Sequence, residues 1–385
     1  MSASKKVLLV AMLDSVHTAR WLGQFEGEDI EFILFPSTPN RQIHAQIKRY
    51  LQPSSSLKLK IPYGLRILSL PTWIIDFLCF GKIRKCMVQA ICLRNDFDFA
   101  HALETQHSGY LLADSLKKLL DPPQFILTLW GSDLNWFRHD KRHQSRIINV
   151  LKDVDFLSTE CVRDQELARE LGFEGQFLTR IPASGGINHS EVGPLSLPST
   201  RNAIAVKGYS GFVGKSLEAL AALKRNEELV RRFDVHVYSA SIRTRLECMK
   251  LRRDTTLTVY CHKKKSLTMD EMIHIFSQSR ISLALSLSDG FPGSQREAMS
   301  VGCFPIESCG SCAIEWVKDA SHIAIVDPRS PSTVDEAIVT ALMDDELVDR
   351  ASIANQEFVA KNLDYKKTAL IAHGFYRHNS QSFQG

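Results

Sequence analysis

The sequence predicts an α/β protein in two domains of comparable size, each a parallel sheet wrapped by helices. Three observations predict it. Short apolar runs bounded by Gly, Pro, Ser and Asp alternate with segments of helical spacing from Lys5 onward. At 385 residues the chain exceeds what one hydrophobic core usually organises. Strand-to-helix turns of the kind that bind ligands occur in both halves.

Composition sets the class. Hydrophobic residues at 44% and charged residues at 23% give the balance of a water-soluble globular chain. A net charge of +4 is too small to indicate a nucleic-acid partner, and no nucleic-acid-binding signature accompanies it. MSASKK leads straight into VLLVAML, too short for a secretory signal and without a cleavage site. No apolar run reaches the ~18 residues of a membrane span. The nine cysteines lie at irregular spacings, as free thiols in a reducing cytoplasm would. Cys309-Gly310-Ser311-Cys312 is a lone CxxC and reads as turn chemistry; no metal site is expected.

Taken in order, Lys5–Leu13 is the first strand. Asp14 or Ser15 caps the following helix, Thr18–Phe25. Glu31–Phe35 is the second strand. From Arg41 to Arg94 ten Lys or Arg (41, 48, 49, 58, 60, 66, 82, 84, 85, 94) face one acid, Asp76. Among them lie Tyr50, Tyr63, Trp73, Ile74, Ile75, Phe77, Leu78 and Phe80. Such mixing fits either contact with an anionic membrane surface or a solvated basic face over a core. Asp98–Ala102 is a strand, and Gln106–Leu119 a helix. Another strand, QFILTLW, runs into Gly131-Ser132-Asp133. Trp130 there either stacks on the flat face of a ligand or packs in the core. Val154–Ser158 and Cys161–Leu171 form a strand and a helix. EVGPLSLPST is linker-like, so the domains divide as residues 1–195 and 196–360, with a C-terminal helical segment from 361 to 385.

The second domain opens with strand Asn202–Val206 and then KGYSGFVGKSLEALAAL, whose Gly208, Gly211 and Gly214 precede a helix. A P-loop needs four residues before its Gly-Lys-Ser, and five separate Gly208 from Gly214, so that motif fails. Val235–Ser239 and Thr256–Tyr260 are strands. Ser266–Ser277 is a helix whose Met269, Met272, Ile273 and Phe276 form a core stripe. Ile323–Val326 is a strand, and Ser332–Met343, Asp345–Asn362 and Tyr365–Arg377 are helices.

The most informative stretch is ISLALSLSDGFPGSQREAMSVGCFPIESCGSCAIEWV, residues 281–317. A buried strand ends at Asp289-Gly290-Phe291-Pro292-Gly293, which cannot continue it. Ser294 and Glu297 have the spacing of a capping box. A short helix follows and stops at Gly302; Cys303–Ile306 is the next strand, and another helix holds Glu315 and Trp316. Asp289 and Glu297 either face one crevice, where carboxylates accept hydrogen bonds from vicinal hydroxyls, or serve only the turn and the cap.

DGFPGSQREAMSVGCFPIES resembles the acidic-x7-acidic motif of the retaining glycosyltransferases of the GT-B fold, glycosyltransferase family 4, in its bacterial surface-polysaccharide type. The same family contains sucrose synthases and many bacterial mannosyl- and glucosyltransferases. The resemblance implies two Rossmann-like domains facing an interdomain cleft, with the last helix crossing back to the first domain. It places Asp289 near the donor sugar, with Gly290, Phe291, Pro292, Gly293 and Ser294 around it, Glu297 on the nucleotide ribose and Glu315 nearby. The first acid is usually Glu, and here it is Asp. Lys207 and Lys215 match the family's basic pair for the donor pyrophosphate, with Lys in place of the usual first Arg. DSVHTARW resembles the opening of many bacterial members and marks His17, with Ser15, at the reaction site. Trp130-Gly131-Ser132-Asp133 resembles a cleft loop that often reads His-Gly-Ser-Asp, which assigns Trp130 and Asp133 to the acceptor side.

The function so implied is transfer of a sugar from a UDP- or GDP-sugar to a hydroxyl of a glycan or lipid-linked acceptor, with retained anomeric configuration and without a cofactor. The expected location is cytoplasmic, with peripheral membrane contact. A catalytically inactive nucleotide-sugar-binding scaffold, a GT-B epimerase and a phosphorylase are the alternatives on the same fold.

Overall fold

The structure, a computed structural model, describes residues 4–38, 42–62, 70–188, 195–317, 319 and 322–377. The chain forms two compact units. One comprises the described residues up to Gly186 together with those from Tyr365 onward; the other is Ile187–Asp364.

The first unit is built on strands β1 (Lys5–Ala11), β2 (Ile30–Pro36), β3 (Lys58–Lys60), β4 (Phe99–Leu103), β5 (Gln124–Thr128), β6 (Phe156–Ser158) and β7 (Gln176–Phe177). They lie in the order β3-β2-β1-β4-β5-β6-β7, all pairs parallel. Helices cover both faces, so the central strand β1 is apolar along its buried length: Val7 to Ala11 are fully buried. The short edges β3 and β7 carry too little apolar pattern to stand out in the sequence. The C-terminal helix Tyr365–Gly374 belongs to this unit. Beyond it, Tyr376 is fully buried; it accepts a bond from the Trp21 indole at 3.2 Å and meets His101 Nδ1 at 2.6 Å. Burial pushes the His101 imidazole down to about 3, so it is neutral at physiological pH.

The second unit holds β8 (Ala203–Lys207), β9 (Asp234–Ala240), β10 (Val259–Lys263), β11 (Ser279–Ala284), β12 (Phe304–Ser308) and β13 (Ala324–Val326). Their order is β10-β9-β8-β11-β12-β13, again all parallel. This is the doubly wound 3-2-1-4-5-6 order, with its topological switch between β8 and β11. Buried Arg201 anchors the start of β8 by donating to the carbonyls of Ser196, Ser279 and Val301.

Three sequence expectations change here. The capping box at Ser294–Glu297 does not form. The helix spans Gly293–Ser300 with Pro292 at its N-cap and no side-chain cap, so Ser294 already lies inside its first turn. Pro292 at φ −57° brings the chain into the helix before Ser294 could cap it. A capping box does form at Thr268–Glu271, opening the helix Met269–Gln278. Second, the helix expected over 106–119 is divided into a wide turn, Thr105–Gly109, and a helix, Tyr110–Leu116. Third, Met269 is exposed rather than part of the core stripe, whereas Met272, Ile273 and Phe276 pack together.

In the basic-apolar segment, Arg41, Tyr63 and Arg66 lie outside the described residues. Tyr50 and Trp73 are core residues. Ile74, Ile75, Phe77, Leu78 and Phe80 are exposed, on and just after the helix Leu70–Leu78.

Candidate functional site

In open α/β sheets ligands bind beyond the carboxyl ends of the strands at the switch point. In the second unit that place is set by the ends of β8 and β11. Lys207 closes β8, and its ammonium donates to Asp289 Oδ2 at 2.7 Å. Burial works against the charge on Lys207, but the Asp289 and Glu307 carboxylates more than offset it and hold the ammonium above its ordinary range.

After Lys207 the chain makes a close turn. A Cβ on Gly208 would stand 2.7 Å from Ala240 Cα and from the Tyr238 carbonyl oxygen. The loop then folds back on the end of β11. The Lys215 N–H donates to the Leu285 carbonyl at 2.9 Å, and Gly214 bridges Ser286. Lys215 heads the helix Ser216–Arg225, and its ammonium bonds Glu218 at 2.6 Å.

Asp289 sits in the turn after β11. Its Oδ1 accepts the Gly290 N–H at 2.9 Å, and its own N–H donates to the Gly310 carbonyl at 3.1 Å. Gly293 and Ser294 lead the next helix, where the first N–H groups have no acceptor within the helix. Gln295 pins that helix to the sheet by accepting from the Ser282 hydroxyl at 2.6 Å and donating to the carbonyls of Ser282 and Ile306. Glu297, one turn on, is buried at 4% exposure. Phe291 is buried and stacks with Trp316 at 6.1 Å between ring centroids. Glu315 is half-buried on the helix Ala313–Trp316.

Glu307 on β12 escaped the sequence reading. It is fully buried, and its carboxyl is pushed up to about 8 by burial, with the Lys207 charge acting in the opposite direction. An acid amid FPIES reads as the end of a strand; only the sheet register brings it near Lys207 and Asp289.

In the first unit the switch lies between β1 and β4. Ser15 caps the helix Val16–Gly23 and accepts the His17 N–H at 3.2 Å. The His17 ring meets the Trp130 ring at 4.9 Å between centroids, bringing together two expected acceptor-side residues. Asp133 is buried at 4% exposure, and its Oδ2 accepts from the N–H groups of Thr105 and Trp130 and from the Thr105 hydroxyl. Burial and the nearby Glu104 carboxylate raise its carboxyl well above the usual carboxylate range. Its contacts hold the loop that carries Trp130.

Glu104 also escaped the sequence reading. Its backbone takes φ 71° and ψ 157°, a region that ordinarily needs glycine. Its buried carboxylate accepts the N–H groups of Gln106, His107 and Ser108 at 2.8, 2.8 and 2.6 Å. Those bonds hold the strained turn at the end of β4 and account for the divided helix.

No protein-family model matches the chain, and no characterised protein matches it by sequence. Solved structures match along the whole chain. The HepE protein of Anabaena, in complex with UDP and glucose, is 11% identical with a TM-score of 0.70, covering 97% of this chain and 100% of that one. A sucrose-phosphate synthase of Thermosynechococcus elongatus is 15% identical with a TM-score of 0.68, covering 97% and 98%. An E. coli trehalose-6-phosphate protein bound with UDP-2-fluoro glucose is 14% identical with a TM-score of 0.67, covering 97% and 99%. The two parallel sheets and these likenesses give the chain the GT-B fold, two Rossmann-like domains in one polypeptide.

Proposed function

We propose that this protein is a glycosyltransferase that moves a sugar from a nucleotide diphosphate sugar to a hydroxyl acceptor with retained anomeric configuration. The observation that carries the reading is the meeting of Lys207 and Asp289 at the carboxyl ends of β8 and β11, beside the N-terminus of the helix Gly293–Ser300. A cation, a carboxylate and open N–H groups at one switch point suit a ligand that is both phosphorylated and hydroxylated. Neighbours on this fold include complexes with UDP and with a UDP-sugar, which supports the same ligand class here.

In this reading Lys207 and Lys215 hold the pyrophosphate. They stabilise the charge that grows on it as the bond between the anomeric carbon and the leaving oxygen breaks. Asp289 and the Gly290–Ser294 segment bind the sugar, Glu297 the ribose, and Glu315 lies beside them. The acceptor hydroxyl attacks from the face the diphosphate leaves, and its proton passes to the departing phosphate oxygen, so no protein nucleophile is needed. His17 orients the acceptor, with Ser15 and Trp130 around it. Asp133 supports the acceptor side by shaping the Trp130 loop. The acceptor is a glycan or lipid-linked glycan, presented at the cytoplasmic face of a membrane that the protein touches peripherally.

A thermal-shift screen with UDP, GDP, CDP, ADP and their sugars tests this, wild type against Glu297→Ala. Stabilisation by one nucleotide that the variant loses supports the donor site and names the base. A folded protein that responds to none of them refutes it.

A further inference from the structure

We propose that the cleft between the helix Lys82–Cys92 and the helices Tyr110–Leu116 and Lys141–Leu151 seats the anionic head group of a membrane lipid, whose chain lies along the exposed Phe77, Leu78 and Phe80. The inference rests on the reading of a lipid-linked acceptor and names the chemistry that would recognise it.

The cleft encloses about 300 Å³, and its lining includes Arg84, Lys85, His107, Tyr110, Asp114 and Arg146. Its charges do not balance. Arg84 is tied to the buried Asp76 carboxylate, donates to the Ser37 carbonyl at 2.9 Å and lies 4.5 Å from the centre of the Trp73 ring. Lys85 and Arg146 share a single carboxylate oxygen, Asp114 Oδ2, at 2.7 and 3.7 Å. Among the described residues that line the cleft and their ion-pair partners one cation is therefore in excess, and His107 adds a further polar group. Arg146 is held against the face of Tyr110 at 3.9 Å, so the excess charge stays at the cleft instead of swinging into solvent.

Phe80 joins the cleft to an apolar surface. It lines the cleft and is 88% exposed, beside Phe77 at 82% and Leu78 at 67%. The one acid of the helix Leu70–Leu78, Asp76, is buried under Arg84, so the exposed face carries aromatic and aliphatic groups beside cations. Aqueous phosphate gains nothing from such a neighbour. An amphiphile with a negative head gains from both halves.

The test is flotation of the full chain with vesicles of phosphatidylcholine alone and of phosphatidylcholine mixed with phosphatidic acid. Wild type should float only with the anionic vesicles. Lys85→Ala combined with Arg146→Ala should lower recovery-derived affinity about thirtyfold. Phe77→Ser combined with Phe80→Ser should lower it about a hundredfold. All three proteins should keep the same nucleotide-induced thermal shift. Equal flotation with both vesicle types, or an unchanged charge variant, overturns the proposal. So does displacement by inorganic phosphate at millimolar concentration with the Phe variant binding as wild type, since that marks a free-phosphate site. Flotation without any nucleotide shift supports the lipid site while refuting the transferase reading.

Discussion

Lys207 and Asp289 stand 82 residues apart in the sequence and 2.7 Å apart in space. The group expected to face a diphosphate is held by the group expected to face a sugar. In the proposed donor site a diphosphate would compete with Asp289 for the ammonium and leave the carboxylate for a hydroxyl. Asp289→Asn should therefore leave the nucleotide-induced thermal shift within a degree or two of wild type while lowering turnover about a hundredfold. Lys207→Met should abolish the shift itself. Loss of both properties in the Asn variant would mean that Asp289 serves only to place Lys207.

Glu307 gives the second unit a dependence on pH. Its carboxyl titrates near 8 in the folded chain against an ordinary 4.5, so the folded state binds that proton more tightly. The associated stability is fully present below pH 4.5 and is lost as pH rises to 8. The slope is at most about 1.4 kcal/mol per pH unit. Melting temperatures measured across that window should fall for wild type and fall less steeply for Glu307→Gln. Parallel curves would show that Glu307 keeps an ordinary carboxylate.

Asp133 makes the opposite kind of prediction. Removing a carboxylate that accepts three donors leaves each of them unpaired in the interior. Asp133→Ala should cost about 3 kcal/mol of stability by denaturant titration, with the nucleotide response of the remaining folded protein retained. A stable variant with only a raised acceptor KM would return Asp133 to the role of a direct acceptor ligand.

Gly208→Ala tests the turn after β8. The added Cβ meets backbone at 2.7 Å on both Ala240 and Tyr238, so the loop must shift. A loss of about 1–3 kcal/mol is expected, together with a weaker nucleotide shift. An unchanged thermal shift would detach this loop from the phosphate site.

His17→Ala should cost at most about 1 kcal/mol of stability, from the lost ring contact with Trp130, and leave nucleotide binding unchanged, because its backbone N–H, retained in the variant, makes the cap bond. Turnover should fall about a hundredfold if the imidazole bonds the acceptor hydroxyl. Unchanged turnover would limit His17 to packing.

The alternation of strands and helices, and most element positions, were legible in the sequence. A buried parallel strand must be apolar on both faces, and glycine, proline and small polar residues must end it. The helix Asp345–Asn362 and strands such as β1 and β11 carry those signals strongly. The edge strands β3 and β7, three and two residues long, carry almost none. The capping-box spacing at Ser294 misled because Pro292 brings the chain into the helix ahead of it. Glu104 was illegible for another reason: its φ of 71° is imposed by the three N–H groups its carboxylate gathers, which no propensity anticipates.

The sequence by itself determined the class of the protein, its strand-to-helix turns and the residue types those turns present. Each depends on neighbours a few positions away, within reach of local backbone preference and hydrophobic period. Only the tertiary structure decided which of these residues meet. The switch between β8 and β11 pairs Lys207 with Asp289 and sets Glu307 near both, and the sheet of the first unit sets His17 against Trp130. Strand order follows from how helices cover two faces of a sheet, a property of the packed whole that no single stretch of chain encodes.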